Sequence, residues 1–216
     1  MADWLNKTFF NFDKSVFVFM NNLDKKAGGF LSPFCEVISF FGDGGIFLII
    51  LSLFLMLFKR TRKVGASMLF AIIVGALFTN VILKNAIARE RPFNENPLYT
   101  AFWLDAGASS VSEFSFPSGH TTVVMTSMTA LFLNTNKKIG WTAYIFVLLT
   151  GFARVYLIVH YLTDVLAGLL VGGASGVIGY YLGNALFNCF EKNSDKKACA
   201  FILNADFLNL IKKNKK

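Results

Sequence analysis

Charged residues, cysteines and histidines are all scarce in this sequence, and each shortage limits what the chain can be. Only 16% of its 216 residues are charged and 55% are hydrophobic, which is more apolar surface than one soluble domain can bury. The three cysteines are odd in number and show neither CxxC nor metal-ligand spacing, so we interpret them as packing residues. The two histidines matter because of where they lie, as described below.

Several apolar runs approach the length of a membrane helix. About 20 residues are needed to cross a hydrocarbon core of roughly 30 Å. We therefore predict an all-α chain, a polytopic membrane helix bundle of about five transmembrane helices. The predicted spans are 44–58, 64–83, 120–133, 139–159 and 165–187.

Polar residues interrupt the apolar segments on either side of these spans. From residue 4 to 22, Phe, Val and Leu alternate with Asn, Asp and Lys, which is typical of helices at the membrane interface. We predict N-terminal interfacial helices over 1–42, a membrane domain over 43–190 and a basic amphipathic cytoplasmic tail over 191–216. No cleavable signal peptide is expected, because Asn11 and Asp13 break the first apolar stretch.

The net charge of +8 does not indicate a nucleic-acid partner, because the basic residues cluster beside apolar runs. The positive-inside rule places 59–63, 137–138 and the lysine-rich tail in the cytoplasm. An odd number of spans then puts the N-terminus outside. Segments 84–119 and 160–164 follow on the outer side, so the sequence predicts a multi-pass protein of the cell membrane.

Glycines recur every three or four residues along the last predicted span and form one smooth helical face. Such a face allows close helix packing. Packing within the monomer is the favoured interpretation, and an oligomer contact through the same face is the alternative. The glycines are Gly168, Gly172, Gly176, Gly179 and Gly183.

Ionisable side chains collect at the ends of the predicted spans, where burial is costly. Snorkelling at the interface explains a lone Lys or Arg, but not several cations, two histidines and an acid in segments that the topology brings together. We therefore predict a functional site on one side of the membrane. The residues are Lys84, Arg91, His120, Arg154, His160 and Asp164.

The segment 116–122 reads Phe-Pro-Ser-Gly-His-Thr-Thr. Pro suits the start of a helix, and Gly lets a backbone approach a ligand closely. The Ser118 hydroxyl and nearby N–H groups at a helix N-terminus form an anion cradle, with a simple helix cap as the alternative. His120, on the first turn, is placed to donate a proton.

A second constellation runs from Arg154 to Asp164. If the chain is helical there, the spacing of His160 and Asp164 puts both on one face. A carboxylate that orients an imidazole leaves the other ring nitrogen free to act as a nucleophile. Arg154 supplies the opposing charge.

Together these motifs resemble the three signatures of the type 2 phosphatidic acid phosphatase superfamily. They are Lys84-x6-Arg91-Pro92, Pro117-Ser118-Gly119-His120 and Arg154-x5-His160-x3-Asp164. That superfamily includes lipid phosphate phosphatases, undecaprenyl pyrophosphate phosphatases and vanadium haloperoxidases. The resemblance spans Gly42 to about Phe187.

The resemblance implies a membrane lipid phosphatase with a histidine nucleophile. His160 would form a phosphohistidine, with Asp164 holding its imidazole and His120 protonating the leaving oxygen. It also implies that no metal or other cofactor is needed. The residues that would bind the phosphate oxygens are Lys84, Arg91, Ser118, Gly119 and Arg154.

One position departs from the family pattern. The third motif usually begins Ser-Arg, but Ala153 precedes Arg154 here, which puts rate or specificity in doubt rather than activity. Undecaprenyl pyrophosphate is the favoured substrate by analogy, with phosphatidylglycerophosphate and phosphatidate as alternatives. A protein that binds or transports lipid phosphates without catalysis is the alternative of another class, and predicted spans argue against a soluble haloperoxidase.

Overall fold

The computed structural model describes residues 1–109, 111 and 113–207, with only the backbone of Ile139. Within this part every regular element is helical, which confirms the predicted all-α class. The helices are α1 Ala2–Thr8, α2 Phe10–Ala27, α3 Leu31–Gly42, α4 Ile46–Met56, α5 Arg62–Ala76, α6 Lys84–Ile87, α7 Pro92–Glu95, α8 Pro97–Asp105, α9 Gly119–Asn134, α10 Lys137–Gly140, α11 Ala143–Tyr156, α12 Leu162–Lys192 and α13 Lys197–Asn204. A π-helical stretch, Leu77–Leu83, joins α5 to α6.

Three helical runs in the described residues are long and apolar enough to cross a membrane. They are Leu31–Met56, Arg62–Glu95 and Leu162–Lys192, and Ala143–Tyr156 is a shorter apolar helix. Side chains such as Ile50 and Leu170 are 60% and 76% exposed on these helices, as expected of surfaces that meet lipid. The count of five spans stays a prediction.

The first of these runs begins earlier than the sequence predicted. Residues 30–41 were expected to lie in the interface, but α3 continues through a turn at Asp43–Gly45 into α4. Gly44 and Gly45 have φ of 53° and 70°, a left-handed conformation that glycine adopts without the steric cost of a Cβ. The bend therefore places Asp43 beside the first turn of α9.

Helix α9 lies at the centre of the bundle and contacts α5, α11 and α12. Its side chains on the buried faces are mostly small or hydroxylic, including Thr126 and Ser127, which bond to backbone carbonyls. At about 1.5 Å per residue its 16 residues are short for a membrane span. The neighbouring helices α5, α11 and α12 surround α9.

The glycine face of α12 packs against α9 and α5 of the same chain. A Cβ at Gly176 would lie 2.8 Å from the Thr126 carbonyl oxygen, and one at Gly179 would overlap the backbone of Ala71. This close approach explains the spacing of the glycines. The face is therefore occupied by packing within the chain, which was the favoured interpretation.

Helix α2 buries two of its aspartates and exposes some of its phenylalanines. Asp13 and Asp24 are 2% and 8% exposed, whereas Phe12 and Phe19 are 45% and 62% exposed. The exposed phenylalanines suit lipid contact, and the buried aspartates form polar contacts inside the bundle. Asp24, for example, accepts a bond from Tyr156 Oη at 2.5 Å.

The tail folds back on the opposite end of the bundle from these polar contacts. The Arg62 guanidinium donates to the carbonyl oxygens of Ile202 and Ala205, the latter at 2.5 Å. Helix α13 forms part of the predicted tail. The last residues of the tail, 208–216, lie outside the described part of the chain.

Substitution of Gly179 by alanine should lower the thermal unfolding temperature of the detergent-purified protein. The added Cβ overlaps the Ala71 backbone, and overpacking of this kind costs about 1–3 kcal/mol. Gly173→Ala is the matched control on the same helix, because its Cβ meets only the flexible end of Met125. Equal unfolding temperatures for the two variants would contradict the packing described for α12.

Candidate active site

Residues from all three sequence motifs meet at one end of the bundle. The first motif begins at Lys84, directly after the π-helical stretch. Helix α6 ends within this motif, at Ala88, which has a φ of 50°. The second motif starts α9, and the third joins α11 to α12. Arg91, from the first motif, and His160, from the third, are in direct contact.

His160 lies in the connection between α11 and α12 and is 1% exposed. Its Nε2 is 3.2 Å from Arg91 Nη1, and its Nδ1 is 3.4 Å from Ser115 Oγ. Burial, and then the positive charges of Arg91 and Arg154, lower the pKa of His160 well below its ordinary value. The imidazole is therefore neutral at neutral pH, as a nucleophile must be.

Asp164 does not bond directly to His160, in contrast to the sequence prediction. The distance from Asp164 Oδ2 to His160 Nδ1 is 3.6 Å, which is too long for a hydrogen bond. Ser115 Oγ donates to Oδ2 at 2.5 Å and so stands between the two. The physical reason is that α12 begins only at Leu162, so Asp164 caps its N-terminus by accepting from Tyr161 N at 3.0 Å.

Arg91 and Lys84, the predicted phosphate-binding cations of the first motif, are both buried. Arg91 donates from Nε to the carbonyl oxygen of Glu113 at 2.7 Å and from Nη1 to that of Val159 at 2.8 Å. The Lys84 ammonium pairs with the Glu113 carboxylate. The hydrogen bond and charge of Lys84 lower the pKa of Glu113, so this carboxylate is ionised and holds the lysine.

The second motif forms the start of α9. Ser118 is its N-cap, and Ser118 Oγ accepts from Thr121 N at 3.4 Å and from Thr121 Oγ1 at 3.0 Å. The cap that the sequence left as an alternative is therefore present. Gly119 faces the Lys84 ammonium, which would lie 3.8 Å from a Cβ built on the glycine.

His120 follows on the first turn of α9. Its Nε2 lies 3.7 Å from Asp43 Oδ1, a carboxylate that the bend after α3 carries to this end of the bundle. A protonated His120 would form an ion pair there. Asp43 is the carboxylate that lies nearest to the His120 ring nitrogen.

Arg154 is 5% exposed, and its Nε has no hydrogen-bond partner among the described residues. Ala153, where the family pattern has serine, is 1% exposed and packs in an apolar cluster with Tyr156, Leu157 and Val159. The alanine therefore lacks the hydroxyl of the family pattern at a position that is surrounded by apolar side chains.

Two cavities meet at His120. The first, of about 260 Å³, is lined by the cations Lys84 and Arg91 and the carboxylates Asp43 and Glu113. Gly119, both histidines and apolar side chains of α4, α5 and α9 complete its lining. The second, of about 410 Å³, is lined by Arg154, Glu36 and Asp43 as well as His120. An oxyanion in the first cavity could reach Lys84, Arg91 and the His160 imidazole, with Glu113 competing for Lys84.

Sequence reasoning missed several residues of this site. Ser115, Glu113 and Arg89 lie within or beside recognised motifs, but nothing in their spacing indicated a role. Asp13 lies in a segment interpreted as an interfacial helix, where an inward carboxylate was not expected. An aspartate among phenylalanines was the one available signal.

The sequence model of the PAP2 superfamily matches residues 64–188, more than half of the chain. The chain belongs to the PAP2 superfamily. The matched range contains all three motifs and α9, α11 and most of α12. It leaves out α1 to α4, and with them Asp13 and Asp43.

Curated PAP2 relatives include two undecaprenyl-diphosphatases. The protein from Sulfolobus acidocaldarius is 34% identical over 55% of this chain and 54% of its own length. The BcrC protein of Bacillus subtilis is 34% identical over 64% of this chain and 68% of its own. A lipid A 4'-phosphatase of Porphyromonas gingivalis is 31% identical over 56% of this chain and 52% of its own. The match thus spans about half the length of two of these three proteins.

Two solved structures share the fold of this PAP2 protein. LpxE of Aquifex aeolicus has a TM-score of 0.57 at 24% identity, covering 76% of this chain and 92% of its own. A transmembrane PAP2 type phosphatidylglycerolphosphate phosphatase of Bacillus subtilis has a TM-score of 0.57 at 23% identity, covering 82% and 95%. At these identities the likeness concerns the fold alone.

Substitution of Glu113 by alanine should tighten the binding of inorganic phosphate about two- to fivefold, because Lys84 no longer pairs with a partly exposed carboxylate. Titration calorimetry of the purified protein measures this affinity. The matched control is Glu90→Ala, an exposed glutamate of the same region, which should leave the affinity unchanged. Weaker phosphate binding by Glu113→Ala would show that Glu113 supports the site instead of competing with phosphate for Lys84.

Proposed function

We propose that this protein is a membrane lipid phosphatase that releases phosphate from a lipid phosphate or diphosphate, with undecaprenyl diphosphate as the leading substrate. The supporting observation is that Lys84, Arg91, His120 and His160 line one cavity, with His160 Nε2 3.2 Å from Arg91. A nucleophile, a proton donor and two cations are the groups that phosphoryl transfer requires.

The lining of the cavity favours a lipid over a soluble phosphate ester. Its charged end continues into a wall of apolar side chains that includes Ile49, Ile72 and Val123. An apolar chain can lie along this wall while its phosphate reaches the cations. The undecaprenyl-diphosphatases among the relatives favour an isoprenoid diphosphate.

In the first chemical step His160 Nε2 attacks phosphorus in line, and the bond to the leaving oxygen breaks. The Asp164 carboxylate behind Nδ1–H stabilises the positive charge that develops on the imidazole. Arg91 and Lys84, which line the cavity with His160, bind the equatorial oxygens of the phosphoryl group, and Arg154 approaches from the adjoining cavity at His120. His120 gives its proton to the departing lipid oxygen.

In the second step water attacks the phosphohistidine. His120, now neutral, accepts a proton from this water, and phosphate leaves with His160 restored to the neutral imidazole. Proton donor and acceptor are thus the same residue in the two half-reactions. Asp43 Oδ1 lies 3.7 Å from its Nε2 and can pair with the imidazolium formed at this point.

Other lipid phosphates are the alternatives for the substrate. Phosphatidylglycerophosphate and phosphatidate each present a phosphate monoester to the same cations. Lipid A phosphates are a further alternative, because one of the relatives is a lipid A 4'-phosphatase. A non-catalytic lipid-phosphate carrier would use the cations but would not need a neutral, buried imidazole in contact with them. The chemistry of His160 therefore favours an enzyme.

The active site of this proposal faces the extracytoplasmic side of the cell membrane. The basic clusters at 59–63 and 137–138 lie at the ends of helices away from His160, which fits the positive-inside rule. A diphosphate carrier lipid that remains in the outer leaflet after release of its headgroup would reach the cavity from the extracytoplasmic side.

The His160→Ala variant should lose phosphate release from undecaprenyl diphosphate by at least about a thousandfold, since nucleophilic catalysis needs that imidazole. Release is measured on detergent-purified protein with excess chelator, beside phosphatidylglycerophosphate, phosphatidate and a lipid A phosphate. Wild-type activity that survives the chelator supports a metal-independent reaction. Equal release by wild type and variant would contradict the proposed nucleophile, and none from any lipid would favour a carrier.

A cysteine placed at Asn94 should react with a membrane-impermeant maleimide from outside intact cells, because that exposed position follows the first motif. Cys189, exposed near the end of α12, is the matched inside control and should react only after permeabilisation. Each cysteine is tested alone, with the other exposed thiols replaced by serine. The reverse labelling pattern would place the active site in the cytoplasm.

A further inference from the structure

Arg89 is the most enclosed charged side chain near the site that the proposed mechanism leaves without a role. It is 1% exposed and lies two residues before Arg91. Its guanidinium donates to Asp164 Oδ1 at 2.7 Å, and the Tyr161 ring lies under it at 3.6 Å. A buried cation with these contacts holds the Asp164 carboxylate in one orientation.

Arg89 also acts on Asp164 through its main chain. Its carbonyl oxygen accepts from Ser115 N at 2.8 Å, and Ser115 Oγ donates to Asp164 Oδ2 at 2.5 Å. The same hydroxyl is 3.4 Å from His160 Nδ1. Arg89 therefore positions both oxygens of the Asp164 carboxylate and, through Ser115, the contact to the His160 imidazole.

The remaining donors of Arg89 reach the N-terminal helices. Nε donates to Asn6 Oδ1 at 2.7 Å, and Nη2 to Asp13 Oδ2 at 3.1 Å. Asp13 also accepts from Thr163 Oγ1 at 2.9 Å, next to Asp164 in the chain. Asn6 and Asp13 lie outside the range that the PAP2 model matches, 64–188.

The charges of this cluster explain why its members depend on one another. Asp13 and Asp164 are 2% and 0% exposed and share the single Arg89 guanidinium. Burial raises the pKa of Asp13, and the charge and hydrogen bond of Arg89 oppose the rise. Two carboxylates and one guanidinium thus lie together behind His160 Nδ1 without solvent, so each depends on the others for compensation of its charge.

We propose that Arg89, held by Asp13 and Asn6 of the N-terminal helices, is a positioning residue for the His160–Asp164 pair. The N-terminal helices are then part of the catalytic apparatus and not only an interfacial anchor. The inference rests on the proposed hydrolytic function, because the geometry of the His160–Asp164 pair matters only if His160 reacts. It predicts a defect in the chemical step with phosphate binding preserved.

The test compares Asp13→Asn with Asp24→Asn, a matched change of another buried aspartate on α2. Asp24 contacts Tyr156 and Ser32 instead of Arg89. Loss of one charge-assisted bond in the cluster should lower kcat about 10- to 100-fold in Asp13→Asn, with KM within about twofold. Asp24→Asn should keep kcat close to wild type.

A second readout needs no turnover. Orthovanadate becomes five-coordinate when a histidine nitrogen binds it, so its affinity reports the position of His160, whereas phosphate affinity reports the cations alone. Calorimetry should show vanadate binding at least about tenfold weaker in Asp13→Asn and phosphate binding unchanged. Asn6→Ala, which keeps every charge, should show the same pattern to a smaller degree if Asp13→Asn does not fold.

The outcomes separate this inference from the proposed function. Unchanged kcat and vanadate affinity in Asp13→Asn would overturn the inference while leaving an active wild type as a phosphatase. Equal losses of kcat and unfolding temperature in Asp13→Asn and Asp24→Asn would also overturn it, by showing a purely structural role. An inactive wild type whose vanadate affinity depends on Asp13 would overturn the function and support the positioning role.

Discussion

Asp164 makes the contacts on which the candidate site depends, because it joins segments that are far apart in the sequence. Its carboxylate accepts bonds from Arg89, Ser115 and the Tyr161 amide, and its carbonyl oxygen accepts from Ser118 N at 3.1 Å. At 0% exposure a lost bond is not replaced by solvent, so each partner is costly to remove. One residue therefore positions the nucleophile and the start of α9 together.

The charges around His160 are divided between its two ring nitrogens. Cations lie on the Nε2 side, where Arg91 is 3.2 Å away, and carboxylates lie behind Nδ1, where Asp164 is 3.6 Å away. The cation side suits the oxygens of a phosphoryl group, and the carboxylate side suits a cationic imidazole. Because apolar helices enclose both sides, these charges act in a medium of low dielectric constant and are already oriented before the substrate binds.

The sequence predicted the helical class and the residues of the motifs because both depend on local patterns, apolar runs of membrane length and residues at fixed spacing. It did not predict how Asp164 reaches His160, since that depends on where α12 begins and on Ser115, a residue without a distinctive spacing. Asp13 was assigned to an interfacial helix because polar residues in short apolar stretches usually face water or headgroups. In this bundle Asp13 faces inward, and only the packing of α2 against the motif segments shows it.

The most direct test of the account is to trap the phosphorylated protein. Wild type and His160→Ala are mixed briefly with diphosphate lipid labelled at its terminal phosphorus, quenched in alkali, which preserves phosphohistidine, and digested for mass spectrometry. The account predicts label on the peptide that contains His160 in wild type and none in the variant. Label on another residue such as Ser118, or turnover at the wild-type rate by the variant, would contradict it.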